Sequence, residues 1–256
     1  REDALFSPFF ATKEIKIFLG LMEGRDEEER KLQLMKDSIF GENPSGKYAD
    51  DVTLLRFLRA RELDVEKASA MFLKYVKWKE TIMPNGSISA TEIPHEIAQD
   101  KLFMQGVDKM YRPIVVVLAA RHRPSKGHIE EFKRFVAFSL ERISSRVSSR
   151  DGNFCAIADI AGWGYSCSDV RGYLAALSIL QDCYPERLGK LFMIHVPYLF
   201  MAAWKLVYPL VDPKTKKKIV FVEDKHLRST LLAHIDEHQL PEIYGGKQAM
   251  VPIHEA

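Results

Sequence analysis

The chain has no apolar run long enough to cross a bilayer. A spanning helix needs about 20 apolar residues. The greasiest stretch, VPYLFMAAWKLVYPLV at 196–211, is shorter and is interrupted by Lys205 and Pro209. Cysteine is scarce: Cys155, Cys167 and Cys183 form no C-x-x-C pair. An odd, scattered set of three implies neither a disulfide framework nor a zinc ribbon, and a reducing compartment is expected. Charge of one sign is also missing. A formal net charge of +2 excludes a strongly basic nucleic-acid binder on global balance, though not a local basic patch. There is no internal repeat, no low-complexity tract and no secretory signal. The chain opens on Arg1 rather than Met, so a trimmed sequence is expected.

What is present is ordinary globular material. Of 256 residues, 46% are hydrophobic and 28% charged, enough for one large domain or one with a small companion. The first third reads as helices. TKEIKIFLGLME and DEEERKLQLMKDSIF carry apolar residues at helical spacing, with acidic residues leading the second. GENPSGKYAD at 41–50 is a loop. A helix follows with Asp50 or Asp51 as N-cap and Leu54, Leu55 and Leu58 on one stripe. The next is capped by Asp64, with Val65, Ala68, Phe72 and Val76 marking its turns.

The pattern then changes. β-Branched or apolar runs at 113–120, 154–160, 190–196 and 218–222 read as strands. Between them lie helical patterns at 129–147, from Ser168 as N-cap, and at 196–211. Alternation of this kind predicts an α/β sheet covered on much of both faces. The 196–211 segment has almost no polar face. Leu199, Ala203, Leu206 and Leu210 share one stripe; Met201, Trp204 and Tyr208 share another. Two readings stand: a crossover helix buried between two layers, or a helix covering an apolar cavity whose other face meets a ligand or a membrane. The lysine-rich KTKKK at 214–218 is likewise either a solvated turn or a basic cluster placed for an anionic membrane surface.

Several motifs come close and fail. GENPSGKY misses the phosphate-loop pattern because Tyr48 stands where the magnesium-binding hydroxyl belongs, and a helix precedes it. HIDEH fits H-x-x-E-H, but its helix, expected from near Ser229, must stop before Pro241, and no third ligand is evident. No G-x-S-x-G elbow exists. His195, in an apolar strand, reads as a hydrogen-bonded core histidine. No enzyme activity, metal or cofactor is expected.

Five ordered segments resemble the CRAL-TRIO lipid-binding family: TLLRFLRARELDVEKASAMFLKYVKWK, DKMYRPIVVV, ADIAGWG, the block LQDCYPERLGKLFMIHVPYLFMAAWKLVYPLVDPKTKKKIVFV, and LPEIYGG at 240–246. The resemblance implies an α/β fold. A small helical region spans 1–83, of the family's N-terminal type from about residue 50. It precedes a lipid domain at 84–256 whose mixed sheet floors a hydrophobic pocket closed by a gate helix. The gate is residues 197–211, with Leu199, Phe200, Ala203, Trp204, Leu206, Val207 and Leu210 contributing its apolar surface.

Within the family the chain is similar to the yeast-type phosphatidylinositol transfer proteins. That likeness implies a bound phospholipid, transient peripheral contact with a membrane surface, a cytoplasmic monomer and no nucleic acid. Position by position it places headgroup residues at Arg61 (from R-x-x-R-A-R), Glu186 (from Y-P-E-R), and Thr215 and Lys218 (from D-P-x-T-x-x-K). Arg61 has an alternative role in tying the helical domain to the lipid domain, and Glu186 in a helix-end ion pair with Arg187. The chain also departs from the pattern. Phe154 and Ala156 stand where two hydroxyl residues help hold the phosphate, and Glu62 where a basic residue is common. These changes leave open a neutral hydrophobic ligand of tocopherol, retinoid or sterol type, and a protein-interaction module with a vestigial pocket.

Overall fold

The computed structural model describes residues 8–124, 127–147 and 152–256, so residues 1–7 of the expected helical region lie outside it. The described residues form two compact units that divide between Val76 and Lys77.

In the first unit α1 (Pro8–Ile39) is one continuous helix, where the sequence suggested two. Only Gly24 and Arg25 separate the two patterns, and one mid-helix glycine costs about 1 kcal/mol, too little to break a helix otherwise continuous. Asp50 caps α2 (Asp51–Ala60) by accepting from the Thr53 amide at 2.9 Å. Asp64 does the same for α3 (Val65–Ile82) through Lys67 at 3.0 Å. The apolar stripes then meet: Met35, Ile39, Leu54, Phe57, Leu58 and Phe72 are buried. Phe57 meets Phe72 edge-on with centroids 5.5 Å apart, a geometry favoured by the ring quadrupoles.

The second unit is built on a five-stranded mixed sheet of order β1-β2-β3-β4-β5. Its strands are β1 (Leu102–Val107), β2 (Pro113–Leu118), β3 (Phe154–Asp159), β4 (Leu188–Ile194) and β5 (Ile219–Phe221). β1 is antiparallel to β2; the others are parallel. The sequence showed four of these strands and missed β1. Gln105 and Gly106 interrupt its apolar run, and the register shifts there. Gly106 has φ +49°, and a Cβ would lie 2.5 Å from Gln239 Oε1, which accepts from the Val107 amide. Only glycine fits that approach.

Parallel neighbours need crossovers. α5 (Ile129–Arg146) joins β2 to β3, and α6 (Val170–Asp182) joins β3 to β4. α7 (Tyr198–Val207) and α8 (Pro213–Lys216) join β4 to β5. Because β2 to β5 step in one direction, right-handed connections put these helices on one face, where α6 contacts both α5 and α7. α6 is capped by Asp169, not Ser168: its Oδ1 takes the Gly172 amide at 2.9 Å.

Strand alternation sorts the core. Ile114, Val116, Cys155, Ile157, Phe192 and Ile194 point to one face. There they pack on Leu231 of α9 (Leu227–His234) and on Ile235, Leu240 and Tyr244 beyond it. The chain after Tyr244 folds back so closely that a Cβ on Gly246 would lie 2.0 Å from the Leu240 carbonyl oxygen, which explains the second glycine of LPEIYGG. α9 begins at Leu227 rather than near Ser229 and ends at His234, so the histidines of HIDEH do not share a helix face. All three cysteines are buried and free, and burial pushes the Cys155 and Cys183 thiols up to about 12.

Candidate functional site

The opposite face of the sheet carries the features that the resemblance singled out. Ala158, Leu191, Met193 and Ile219 line it, and Leu199, Phe200 and Ala203 of α7 pack there with Trp163. Phe200 meets Trp163 edge-on at 5.2 Å and stacks on Trp204 at 6.3 Å; Trp204 meets Tyr208 and Phe221. These aromatic contacts continue along α7 into the 3₁₀ turn Tyr208–Leu210.

α7 nevertheless has no buried residue. This overturns the reading of a helix sandwiched between two layers. It also divides the first stripe. Leu199 and Ala203 face the sheet, whereas Leu206 is 66% and Leu210 55% exposed, and Val207 is half-buried. Tyr198, 96% exposed, and Phe221 extend the outward apolar surface. Lys205 lies within it, and Lys216 Nζ sits 4.5 Å from the Tyr208 ring centre.

Phe154, Glu186 and Lys218 sit at or just before the starts of β3, β4 and β5, so the parallel order gathers them at one end of the sheet. The Phe154 amide donates to the Arg187 carbonyl at 2.8 Å. Lys218 Nζ donates to Glu186 Oε2 at 3.0 Å, both side chains being 24% exposed. Glu186 has φ +57°, a left-handed backbone that costs a non-glycine residue about 1 kcal/mol or more and aims its carboxylate at the lysine. Asp212 fixes the turn before Lys218: its Oδ1 accepts the Lys214 and Thr215 amides, and the Thr215 carbonyl accepts the Lys218 amide at 3.0 Å. Glu186 and Lys218 therefore meet directly, with Thr215 one turn away. Phe154 and Ala156 are buried, on the face that carries Ala158. Arg61 belongs to the first unit, where it ends α2 and donates to the Ala60 carbonyl at 3.2 Å.

Two polar clusters escaped the sequence reading. Asp159 ends β3 and accepts from Tyr244 Oη at 2.8 Å and from the Ala161 amide, and pairs with His195 Nδ1 at 2.9 Å. His195 stands just past β4 with φ +49° rather than within a strand. Burial, reinforced by the neighbouring Asp159 carboxylate, raises the Tyr244 phenol, keeping it a donor. Elsewhere Lys101 is buried among Glu96, Gln99 Oε1 and His122 Nδ1, and His122 Nε2 lies 3.2 Å from Asp169. A cavity of about 100 Å3 opens beside Glu96, His122 and Asp169. The partners come from separate segments, so no spacing announces them.

The CRAL/TRIO domain profile matches residues 98–246, and the CRAL/TRIO N-terminal domain profile matches 14–74. The chain belongs to the CRAL-TRIO family. A CRAL-TRIO domain-containing protein of Saccharomyces cerevisiae is 30% identical over 250 residues, covering 88% of this chain and 79% of the relative. The SEC14 cytosolic factor of Eremothecium gossypii is 33% identical over 221 residues, 78% of this chain and 70% of its own length. The crystal structure of Sfh5 superposes with a TM-score of 0.61 at 17% identity, over 80% of this chain and 84% of that one, and supports the fold alone. CRAL-TRIO proteins are lipid-binding and lipid-transfer proteins. Among the described residues no helix is long and apolar enough to cross a membrane.

Proposed function

We propose that this CRAL-TRIO chain is a non-enzymatic phospholipid carrier that binds phosphatidylinositol and exchanges it between membranes or presents it to a lipid kinase. The observation that carries this reading is the Lys218–Glu186 pair at the end of the sheet whose face α7 covers. An ammonium there suits a phosphate, and a carboxylate suits inositol hydroxyls. Thr215 adds a hydroxyl. The outward apolar face of α7 beside the lysines suits transient docking on an anionic bilayer from the cytoplasm, as a monomer. Two domains, 1–83 and 84–256, divide the work of support and lipid binding.

The test is vesicle-to-vesicle transfer of labelled phosphatidylinositol. Glutamine keeps a hydrogen-bond donor in place of the half-buried ammonium, so Lys218→Gln is expected to cost no more than about 1–2 kcal/mol of stability and to lose about tenfold or more in transfer. Transfer at the wild-type rate would refute the assignment. A second reading, a neutral hydrophobic ligand, is favoured by Phe154 and Ala156, which present no hydroxyl on the covered face. Mass spectrometry of lipid that co-purifies from a eukaryotic host separates the two.

A further inference from the structure

The short helix α4 (Pro94–Ile97) and the start of α5 bring together three side chains that the lipid site does not use. His128 stands just before α5 and Glu131 in its first turn, three residues on, so both lie on one side of the helix start. His95 reaches them from α4. Glu131 Oε2 lies 2.9 Å from His95 Nδ1 and 3.0 Å from His128 Nδ1. The imidazole centres are only 4.4 Å apart, and one donor atom from each of the three residues lies within 4.8 Å of the other two.

The two carboxylate oxygens have different tasks. Oε1 accepts the His95 amide at 2.7 Å and the Glu96 amide at 3.3 Å. These bonds fix the carboxylate and satisfy backbone donors at the start of α4, leaving Oε2 turned toward both rings. Outer contacts that orient a ligand in this way are typical of metal sites. Neighbouring cations are engaged elsewhere: Lys133 with Glu130, and Arg134 with Glu92. Two imidazoles and one carboxylate are borderline donors, the set suited to zinc-class ions rather than magnesium or calcium. In a tetrahedral zinc site with bonds of about 2.0–2.1 Å, ligand atoms stand about 3.3 Å apart. The two carboxylate–imidazole separations need to widen by only a few tenths of an ångström, with each neutral ring moving its proton from Nδ1 to Nε2, while the two ring nitrogens lie within 4.8 Å of each other.

We infer that His95, His128 and Glu131 form a surface binding site for a Zn2+-class divalent ion, which would tie α4 to the start of α5. The sequence reading expected no metal, and its one metal-like motif, HIDEH, lies elsewhere. Both rings are substantially exposed, with side chains 63% and 41% accessible, so a fourth position is open to water.

The test is calorimetric titration of the full chain, stripped with chelator, with Zn2+ alone, and native mass spectrometry for stoichiometry. One ion per chain and a raised melting temperature are expected. The double variant His95→Ala/His128→Ala, and separately Glu131→Gln, should weaken binding at least about tenfold. The variant His234→Ala/His238→Ala should bind as wild type. Equal affinity in the His95/His128 variant, loss in the His234/His238 variant, or no Zn2+ uptake by wild type at millimolar ion would overturn the site. So would Mg2+ binding with the same affinity.

Discussion

His122 shows what a single side chain can dictate. Lys101, an obligate donor when charged, lies 2.8 Å from His122 Nδ1, so that nitrogen must accept and Nε2 must carry the proton toward Asp169. A proton added to the ring would face the ammonium. Burial first, and Lys101 second, therefore hold His122 below the ordinary imidazole value. The unfolded chain binds a proton near pH 6.5 and the folded one binds it only at lower pH, so stability is lost as pH falls through that window. Urea unfolding between pH 7 and 5 should show the fall. His122→Gln should cost about 1–3 kcal/mol at pH 7 and make the pH dependence shallower; an unchanged slope would refute the account. Glu186 and Lys218 came into view through motif order, and the structure places them 3.0 Å apart. Glu96, Lys101, His122 and Asp169 did not, because a cluster assembled across tertiary contacts leaves no periodic trace.

At the scale of elements, α7 sets two kinds of apolar residue on one short helix. Phe200 is held against Trp163. Phe200 is only partly buried, so its replacement by alanine should destabilise the second unit by about 1–2 kcal/mol, read by denaturant midpoint. Leu206 and Leu210 face outward, so serine at both should shift stability by less than about 0.5 kcal/mol while lowering co-sedimentation with lipid vesicles. Vesicle binding equal to wild type would show that this face is not the docking surface. Hydrophobic spacing alone did not separate these roles, because Leu206 and Leu210 are as apolar as Leu199; packing on a particular sheet face decides. The same lesson holds for β1, whose pairing with β2 overrides the Gln105–Gly106 interruption, and for α1, which runs through Gly24.

For the molecule as a whole, strand–helix alternation made the parallel part of the sheet legible, since each parallel step demands a crossover. The antiparallel edge was not, because a hairpin leaves no helical pattern beside it. Net charge was legible but uninformative: +2 conceals the concentration of Lys214, Lys216, Lys217 and Lys218 just beyond the apolar helix. Attraction to an anionic bilayer should therefore be a local effect that salt weakens. Co-sedimentation with phosphatidylserine vesicles is expected to fall between 50 and 500 mM NaCl, as the screening length drops from about 14 to 4 Å, and to vary little with phosphatidylcholine vesicles. Salt-independent binding to both would leave only apolar contact.

The absence of any buried residue in α7 also sets an order of events in thermal motion. Lifting this helix leaves the strand pairing and the opposite core of Ile157, Phe192 and Leu231 intact, so its opening costs only part of the free energy of global unfolding. Its amides can exchange with deuterium through that partial excursion, long before those of β3, which must wait for the whole unit to come apart.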